Sequence, residues 1–187
     1  MNNTPPDAIL FDLDDTLIDW WGSIQGCLST FAPAEVTAAL QNHCTTHLWH
    51  RNEQHGYVEQ RDTWKLHEFR HEEWARALPE LHPDERTAHL ATFSQRLSVD
   101  FFPDIVPTLN VLKHKHRIAV LSNNPHVERE RNRLGLDEWF ESCMSAAHTT
   151  PKPHPGAFLD ACAQLDVAPE KTWYVGDSIR ADARGAL

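Results

Sequence analysis

The sequence predicts an α/β protein: a doubly wound parallel sheet with an all-helical segment inserted after its first strand. Three observations lead there. The apolar run Ala8-Ile9-Leu10-Phe11 ends abruptly in Asp12-Leu13-Asp14-Asp15-Thr16, as a buried strand does when it reaches a polar loop. From Phe101 onward, short apolar runs alternate with helical stretches, the pattern of a parallel sheet. Between these two regions lie about eighty residues with helical character and no strand pattern.

Ala8–Phe11 is apolar throughout, as expected of a strand covered on both faces. Asp12 and Asp14 are two positions apart, so they point to one side while the chain stays extended. Crowded carboxylates repel unless a cation sits between them or one keeps a proton. Mg²⁺ suits such a site, being bound by one or two carboxylates plus water and substrate phosphate. The plain alternative is a solvated acidic turn.

Within the inserted segment, Ala34–Leu48 is rich in Ala, Leu and Gln behind Pro33, a first-turn proline. Trp64, Leu66, Phe69, Trp74 and Leu78 are spaced as one helical face. Pro79 and Pro83 punctuate, and Asp84–Leu97 reads as a further helix. Asp104–Lys115 is expected to be helical, with Pro107 tolerated near its start. Ile118–Leu121 is a second buried strand ending at Ser122-Asn123-Asn124-Pro125. Val127–Leu134 is a charged helix closed by Gly135. A third strand over Cys143–Ala146, a helix over Pro155–Leu165 and a fourth strand, Trp173–Val175, complete the pattern. That last strand ends at Gly176-Asp177-Ser178, where a further helix is expected to begin.

The chain of 187 residues, 41% hydrophobic, suffices for one core with a modest insertion. No apolar run reaches the ~18–20 residues of a membrane span, and the first residues lack the pattern of a signal peptide. A cytoplasmic protein is expected. A formal net charge of −10 disfavours nucleic acid and anionic membranes as partners. An anionic substrate would therefore need local positive charge or a metal. The four cysteines form no CxxC pair and read as buried thiols in a reducing compartment.

The strand ends carry chemistry that fits the first one. Ser122 offers a hydroxyl and, with Asn123, backbone N–H groups that can grip phosphate oxygens. Lys152 stands between Pro151 and Pro153, a positive charge on a stiff loop. Asp177 adds a carboxylate, and Asp182 follows five residues on. Singly, each has a plainer reading: a turn serine, a solvated lysine, an N-cap aspartate. Their order along the chain makes the combination specific.

Asp12-Leu13-Asp14-Asp15-Thr16 resembles the first signature of the haloacid dehalogenase-like (HAD) superfamily. Ser122-Asn123-Asn124, Lys152-Pro153-His154-Pro155 and Gly176-Asp177-Ser178-Ile179-Arg180-Ala181-Asp182 resemble the second, third and fourth. The resemblance spans nearly the whole chain. The helical insertion is similar to the C1 cap of the branch containing phosphoglycolate phosphatases and nucleotidases. The resemblance implies a Rossmann-like core of residues 1–16 and 100–187, a cap of residues 17–99, and Mg²⁺-dependent hydrolysis of a small phosphorylated metabolite.

It also implies roles. Asp12 is the nucleophile that becomes an aspartyl-phosphate, and Asp14 is the acid that protonates the leaving oxygen and then the base toward water. Asp12, the backbone carbonyl of Asp14 and Asp177 hold Mg²⁺. Ser122 and the Asn123 backbone bind phosphate, and Lys152 neutralises charge on Asp12 and the phosphoryl group. Asp182 supports Lys152 or a metal-bound water, and Thr16, on the phosphate side, fixes the loop by a hydrogen bond. His154 departs from the family pattern, standing where many relatives have Asp, and the segment before Lys152 lacks a glycine often found there. Relatives continue past Gly185-Ala186 into a fifth strand. The expectation is a shortened core with its last strand missing and the fourth strand at an edge.

Three alternatives share the fold. A 2-haloacid dehalogenase uses the nucleophile without metal or second carboxylate, and Asp14 speaks against it. A phosphomutase would use the same residues. A non-catalytic binding protein would keep the architecture alone. Trp20 and Trp21 read as packing rather than stacking on a substrate ring. His43/His47 and His67/His71 have the spacing of helical metal pairs but no third ligand, so they read as solvated faces. Arg51, Arg61, Lys65 and Arg70 read first as surface charge. Substrate identity and oligomeric state stay open at this point.

Overall fold

The computed structural model describes residues 5–30, 38, 75, 78–147 and 149–187. The chain divides into two compact units. One runs through Asp19 and resumes from Asp100 to Leu187; the other is Trp20–Val99.

In the first unit, β1 (Ala8–Phe11) is buried at all four positions. β2 (Arg117–Ser122) is buried except at Arg117. With β3 (Ser142–Ser145) and β4 (Thr172–Val175) they form a parallel sheet in the order β3-β2-β1-β4 among the described residues. The apolar runs of β1 and β2 are explained by this placement, since both lie inside the sheet. The chain steps outward from β1 through β2 to β3, then returns to the far side of β1 as β4. The reversal falls between β1 and β4, and in such sheets ligands bind at the carboxyl ends of the strands at that point. Register brings the ends level: Phe11 lies opposite Val120 and Val175. Asp12, Ser122 and Gly176 consequently emerge together. Among the described residues β4 is an edge, and Trp173 and Val175 are 58% and 42% exposed.

The connecting helices are α3 (Ile105–Leu112), α4 (Val127–Leu134) and α5 (Pro155–Gln164). Pro107 falls in the first turn of α3, where a missing N–H costs no helical bond. Gly135 closes α4 at φ 65°, its N–H donating to the Arg131 carbonyl; this left-handed position favours glycine. Pro155 opens α5, and the His154 ring accepts the Gly156 N–H at 3.0 Å as its cap. The apolar face of α5, Ala157, Phe158, Ala161 and Cys162, packs on Ala8, Leu10, Ala119 and Leu121. Phe158 meets Tyr174 edge-on at 5.0 Å.

The chain leaves and re-enters this unit side by side. Ile18 pairs antiparallel with Phe101, and the Asp19 N–H donates to the Asp100 carbonyl at 3.0 Å. The second unit contains α1 (Trp20–Ser29) and α2 (Pro83–Arg96). A capping box starts α2: the His82 ring accepts from Asp84 N at 3.3 Å, and Glu85 accepts from His82 N at 3.0 Å.

One element differs from expectation. The segment carrying Asp182 is not an α-helix but a single π-helical turn, Ile179–Ala183. Its bonds span five residues, Ala183 N to Ser178 O (3.3 Å) and Arg184 N to Ile179 O (3.0 Å). The thiols differ too: Cys162 is buried, but Cys27 and Cys143 are only half-buried. The expected helix Ala34–Leu48, most of the Trp64–Leu78 face, the Trp21 side chain, Cys44, His43, His47, His67, His71, Arg51, Arg61, Lys65 and Arg70 lie outside the described residues. No helix among the described residues is long and apolar enough to cross a membrane.

Candidate active site

Asp12 leaves β1 still in the sheet's hydrogen-bond pattern, its N–H donating to the Val175 carbonyl at 2.8 Å. The chain then turns tightly. Leu17 N and Ile18 N both donate to the Leu13 carbonyl (3.0 and 3.1 Å), and Asp15 N donates to Ile18 O (2.8 Å). Asp15 sits at φ 56°, a left-handed conformation in which aspartate is enriched. Fully buried Leu13, Leu17 and Ile18 anchor the turn to the core. The loop is therefore held by backbone bonds and apolar anchors. The hydrogen bond expected from Thr16 is not made: its hydroxyl is buried with no protein partner.

Lys152 is the largest of the fully buried side chains, at 1% exposure. Its ammonium donates to Asp12 Oδ1 (2.8 Å), Asp182 Oδ1 (2.7 Å) and the Tyr174 hydroxyl (2.5 Å). An ammonium has three N–H groups, and all three are engaged. The Tyr174 hydroxyl in turn donates to the Leu121 carbonyl at 2.7 Å, which fixes it as acceptor toward Lys152. The loop bearing Lys152 is strapped to the end of β2 by Asn123. That amide donates to the Lys152 carbonyl (2.9 Å) and accepts the Lys152 N–H (2.8 Å). A solvated lysine is excluded by this burial.

Asp182, 2% exposed, is held at both oxygens, by Lys152 and by the Ser178 N–H at 3.0 Å. Gly176 is required by that approach, since a Cβ there would stand 2.3 Å from Asp182 Oδ2. Ser178 caps the π turn by accepting from Ala181 N at 3.0 Å, so the cap role is not taken by Asp177. Carboxylate oxygens of Asp12, Asp177 and Asp182 lie within 4.8 Å of one another. This donor set, all hard oxygen and all acidic, suits a divalent cation such as Mg²⁺.

Asp14 points to a different partner. The Asn124 amide donates to both its oxygens, at 3.2 and 2.9 Å. Ser122, 2% exposed, accepts the Asn124 N–H at 3.1 Å, leaving its own proton to donate elsewhere.

Three of these carboxyls are raised, each for its own set of causes. Burial raises Asp12 above the ordinary carboxylate value while Lys152 pulls the other way. Asp14 is pushed up to about 7, first by burial and then by the charge of Asp12. Asp177 is pushed up to about 6, first by loss of water around it and then by Asp12 and Asp182. Tyr174 is held above its usual range by burial and by the same acids, so it stays a neutral hydroxyl.

Of the residues singled out in the sequence, Asp12, Lys152, Asp177 and Asp182 meet in one cluster. Asp14, Ser122 and Asn123 adjoin it through Asn124 and the Lys152 loop. Two residues in the site escaped that reading, Asn124 and Tyr174. The available signal for Tyr174 was a polar tip within an otherwise apolar strand, and Asn124 lay inside the second signature run.

Comparison with known proteins fits this geometry. The family described as haloacid dehalogenase-like hydrolase matches residues 6–187. The glyceraldehyde 3-phosphate phosphatase of Methanopyrus kandleri is 34% identical over 89 residues, covering 46% of this chain and only 38% of that relative. The phosphoglycolate phosphatase of Nitrosococcus oceani is 27% identical over 181 residues, covering 93% of this chain and 76% of the relative. Among solved structures, a 2-haloacid dehalogenase from Pseudomonas syringae pv. Tomato aligns with a TM-score of 0.60 at 25% identity, covering 97% of this chain and 82% of that one. With the parallel sheet, the four strand-end signatures and a match over nearly the whole length, the chain belongs to the haloacid dehalogenase-like hydrolase family.

Proposed function

We propose that this hydrolase is a Mg²⁺-dependent phosphatase that cleaves a small phosphomonoester through a phosphoryl-aspartate at Asp12. One observation carries the reading. Two neighbouring carboxyls, both raised by burial, are given different partners: Asp12 the Lys152 cation, which pulls it back down, and Asp14 a neutral amide, with Asp14 pushed up to about 7. Pairs of titratable groups whose surroundings differ in this way assign nucleophile and acid.

In the first half-reaction a carboxylate oxygen of Asp12 bonds to phosphorus, the bond from phosphorus to the leaving oxygen breaks, and Asp14 gives that oxygen its proton. In the second, the Asp14 carboxylate takes a proton from water as the water oxygen bonds to phosphorus. The bond to Asp12 then breaks, inorganic phosphate departs, and both carboxyls return to their starting states. Ser122 and the Asn123 N–H bind phosphoryl oxygens, and the Thr16 hydroxyl, without a protein partner, is available to the same group. Lys152 keeps Asp12 in place; with its three donors engaged it acts on the phosphoryl group through Asp12. Asp182 holds Lys152 from the other side.

Asp12, Asp177 and the Asp14 backbone carbonyl would hold Mg²⁺. When bound, the ion offsets the repulsion between the Asp12 carboxylate and the phosphoryl oxygens. Residues 17–99 act as the cap that selects the leaving group, and the enzyme works in the cytoplasm. Phosphoglycolate and glyceraldehyde 3-phosphate, the substrates in the names of the two relatives, head the panel to be screened.

The likeness to a dehalogenase structure keeps a second reading in play. Halide needs no proton as it leaves, so that chemistry has no use for a carboxyl poised near 7. Purified protein with Mg²⁺ should hydrolyse p-nitrophenyl phosphate, lose activity with EDTA, and lose it again with Asp12→Asn. Halide release from a 2-haloacid that survives EDTA would establish the rival.

A further inference from the structure

We infer that Asn124 is the positioning residue of the acid–base step, its amide fixing where Asp14 presents its proton to the leaving oxygen. The inference rests on the phosphatase reading and gives a task to the amide that reading leaves only as a neighbour of Asp14. Asn124 Nδ2 lies 2.9 Å from Asp14 Oδ2 and 3.2 Å from Oδ1, bridging residues 110 apart in sequence.

The amide has only one workable orientation. Its Oδ1 accepts the His126 N–H at 2.8 Å, and turning the group over would set donor against donor there. The NH₂ side therefore faces Asp14. The backbone of Asn124 is pinned as well: its N–H donates to Ser122 Oγ at 3.1 Å, and its carbonyl accepts from Ser145 Oγ at 2.8 Å. Those serines end β2 and β3. The rim of the sheet thus aims a donor at a carboxyl on the β1 loop.

The choice of residue type fits the task. An arginine or lysine here would hold Asp14 ionised and strip it of a proton to give. A neutral amide orients the group in either state, as an acid that becomes a base requires.

Two variants separate the parts of the side chain. Asn124→Asp keeps the shape and the acceptor for His126 N–H but replaces the donors to Asp14 with a second carboxyl, which repels it or shares its proton. Asn124→Ala removes both, and a thermal melt of each checks folding. The readout is kcat/KM, which covers the steps through P–O cleavage, for a series of phosphomonoesters from p-nitrophenyl through phenyl to alkyl. A p-nitrophenolate leaves with little help, whereas an alkoxide needs its proton. Both variants are expected to lose under about threefold on p-nitrophenyl phosphate and more than about thirtyfold on the alkyl ester, a fraction of the ~10²–10⁴ that acid–base catalysis supplies. A role in holding the loop would instead lower all esters alike. A uniform loss, or no loss, overturns the assignment of Asn124 and leaves the phosphatase reading intact. If the wild-type protein hydrolyses none of the series, the phosphatase reading fails and this inference falls with it.

Discussion

Lys152→Met removes the central cation of the site while keeping most of its apolar stem, and the structure sets what that costs. Lys152 is 1% exposed, and its ammonium is bonded to two carboxylates at 2.8 and 2.7 Å. Breaking such a buried cluster from one side leaves charge without a partner, which destabilises by about 3–5 kcal/mol. Asp12 can relieve part of this by taking up a proton. Burial already holds Asp12 above its unfolded value, and Lys152 is what opposes that rise. Without the lysine the folded-state value climbs further. A carboxyl raised in the folded state keeps its proton there, so stability is retained at low pH and lost as pH rises through the raised value. The deficit should therefore be near 3 kcal/mol or more at about pH 8 and clearly smaller at about pH 5. For a chain of this size that is roughly 6–12 °C in Tm at the higher pH. Urea unfolding in EDTA at both pH values measures it, and adding Asp182→Asn should restore part of the loss. A deficit below about 1 kcal/mol at both pH values, or one larger at the lower pH, would refute the reasoning.

Gly176→Ala should displace the Asp182 carboxylate, since its Cβ would lie 2.3 Å from Asp182 Oδ2. It should cut both Tm and turnover, and a second change, Asp182→Ala, should relieve the clash and recover only part of the Tm, since the bonds to Lys152 and Ser178 are lost, and none of the turnover. Tyr174→Phe keeps the edge-on contact with Phe158 but deletes the bonds to Lys152 and Leu121. It should destabilise by about 1–3 kcal/mol in chemical denaturation, the Leu121 carbonyl being left without the donor it has from Tyr174.

The strands were legible because their apolar runs are short, uninterrupted and end in polar clusters. β1 falls on Ala8–Phe11 as read, and β2 and β4 are each longer than read by one residue or two at their ends. Gly135 and Pro155 marked helix limits by local chemistry alone, and the structure keeps both. What escaped depends on contacts between distant segments. The grip of Asn124 on Asp14 spans 110 positions, and the bond from Lys152 to Tyr174 spans 22, so neither leaves a local pattern. The π turn at Ile179–Ala183 escaped for a related reason. It is shaped by Asp182 reaching Lys152 and the Ser178 N–H, and nothing in its own residues distinguishes it from an α-helical start. Thr16 misled because a hydroxyl in a turn ordinarily bonds to local backbone, whereas here backbone bonds close the turn without it.

The central claim is that phosphorus is transferred to Asp12 and then to water. A single turnover with enzyme in excess over a phosphomonoester, run in heavy-oxygen water and quenched with acid, tests it directly. The account predicts that early quenches show one phosphoryl group on the peptide containing Asp12, and that the heavy oxygen finally appears in inorganic phosphate and not in the Asp12 carboxylate. Heavy oxygen in the Asp12 carboxylate would mean that water attacked the carbon of an ester, as dehalogenation requires. That result, or labelled phosphate with no phosphoryl-Asp12 and undiminished turnover in Asp12→Asn, would contradict the account.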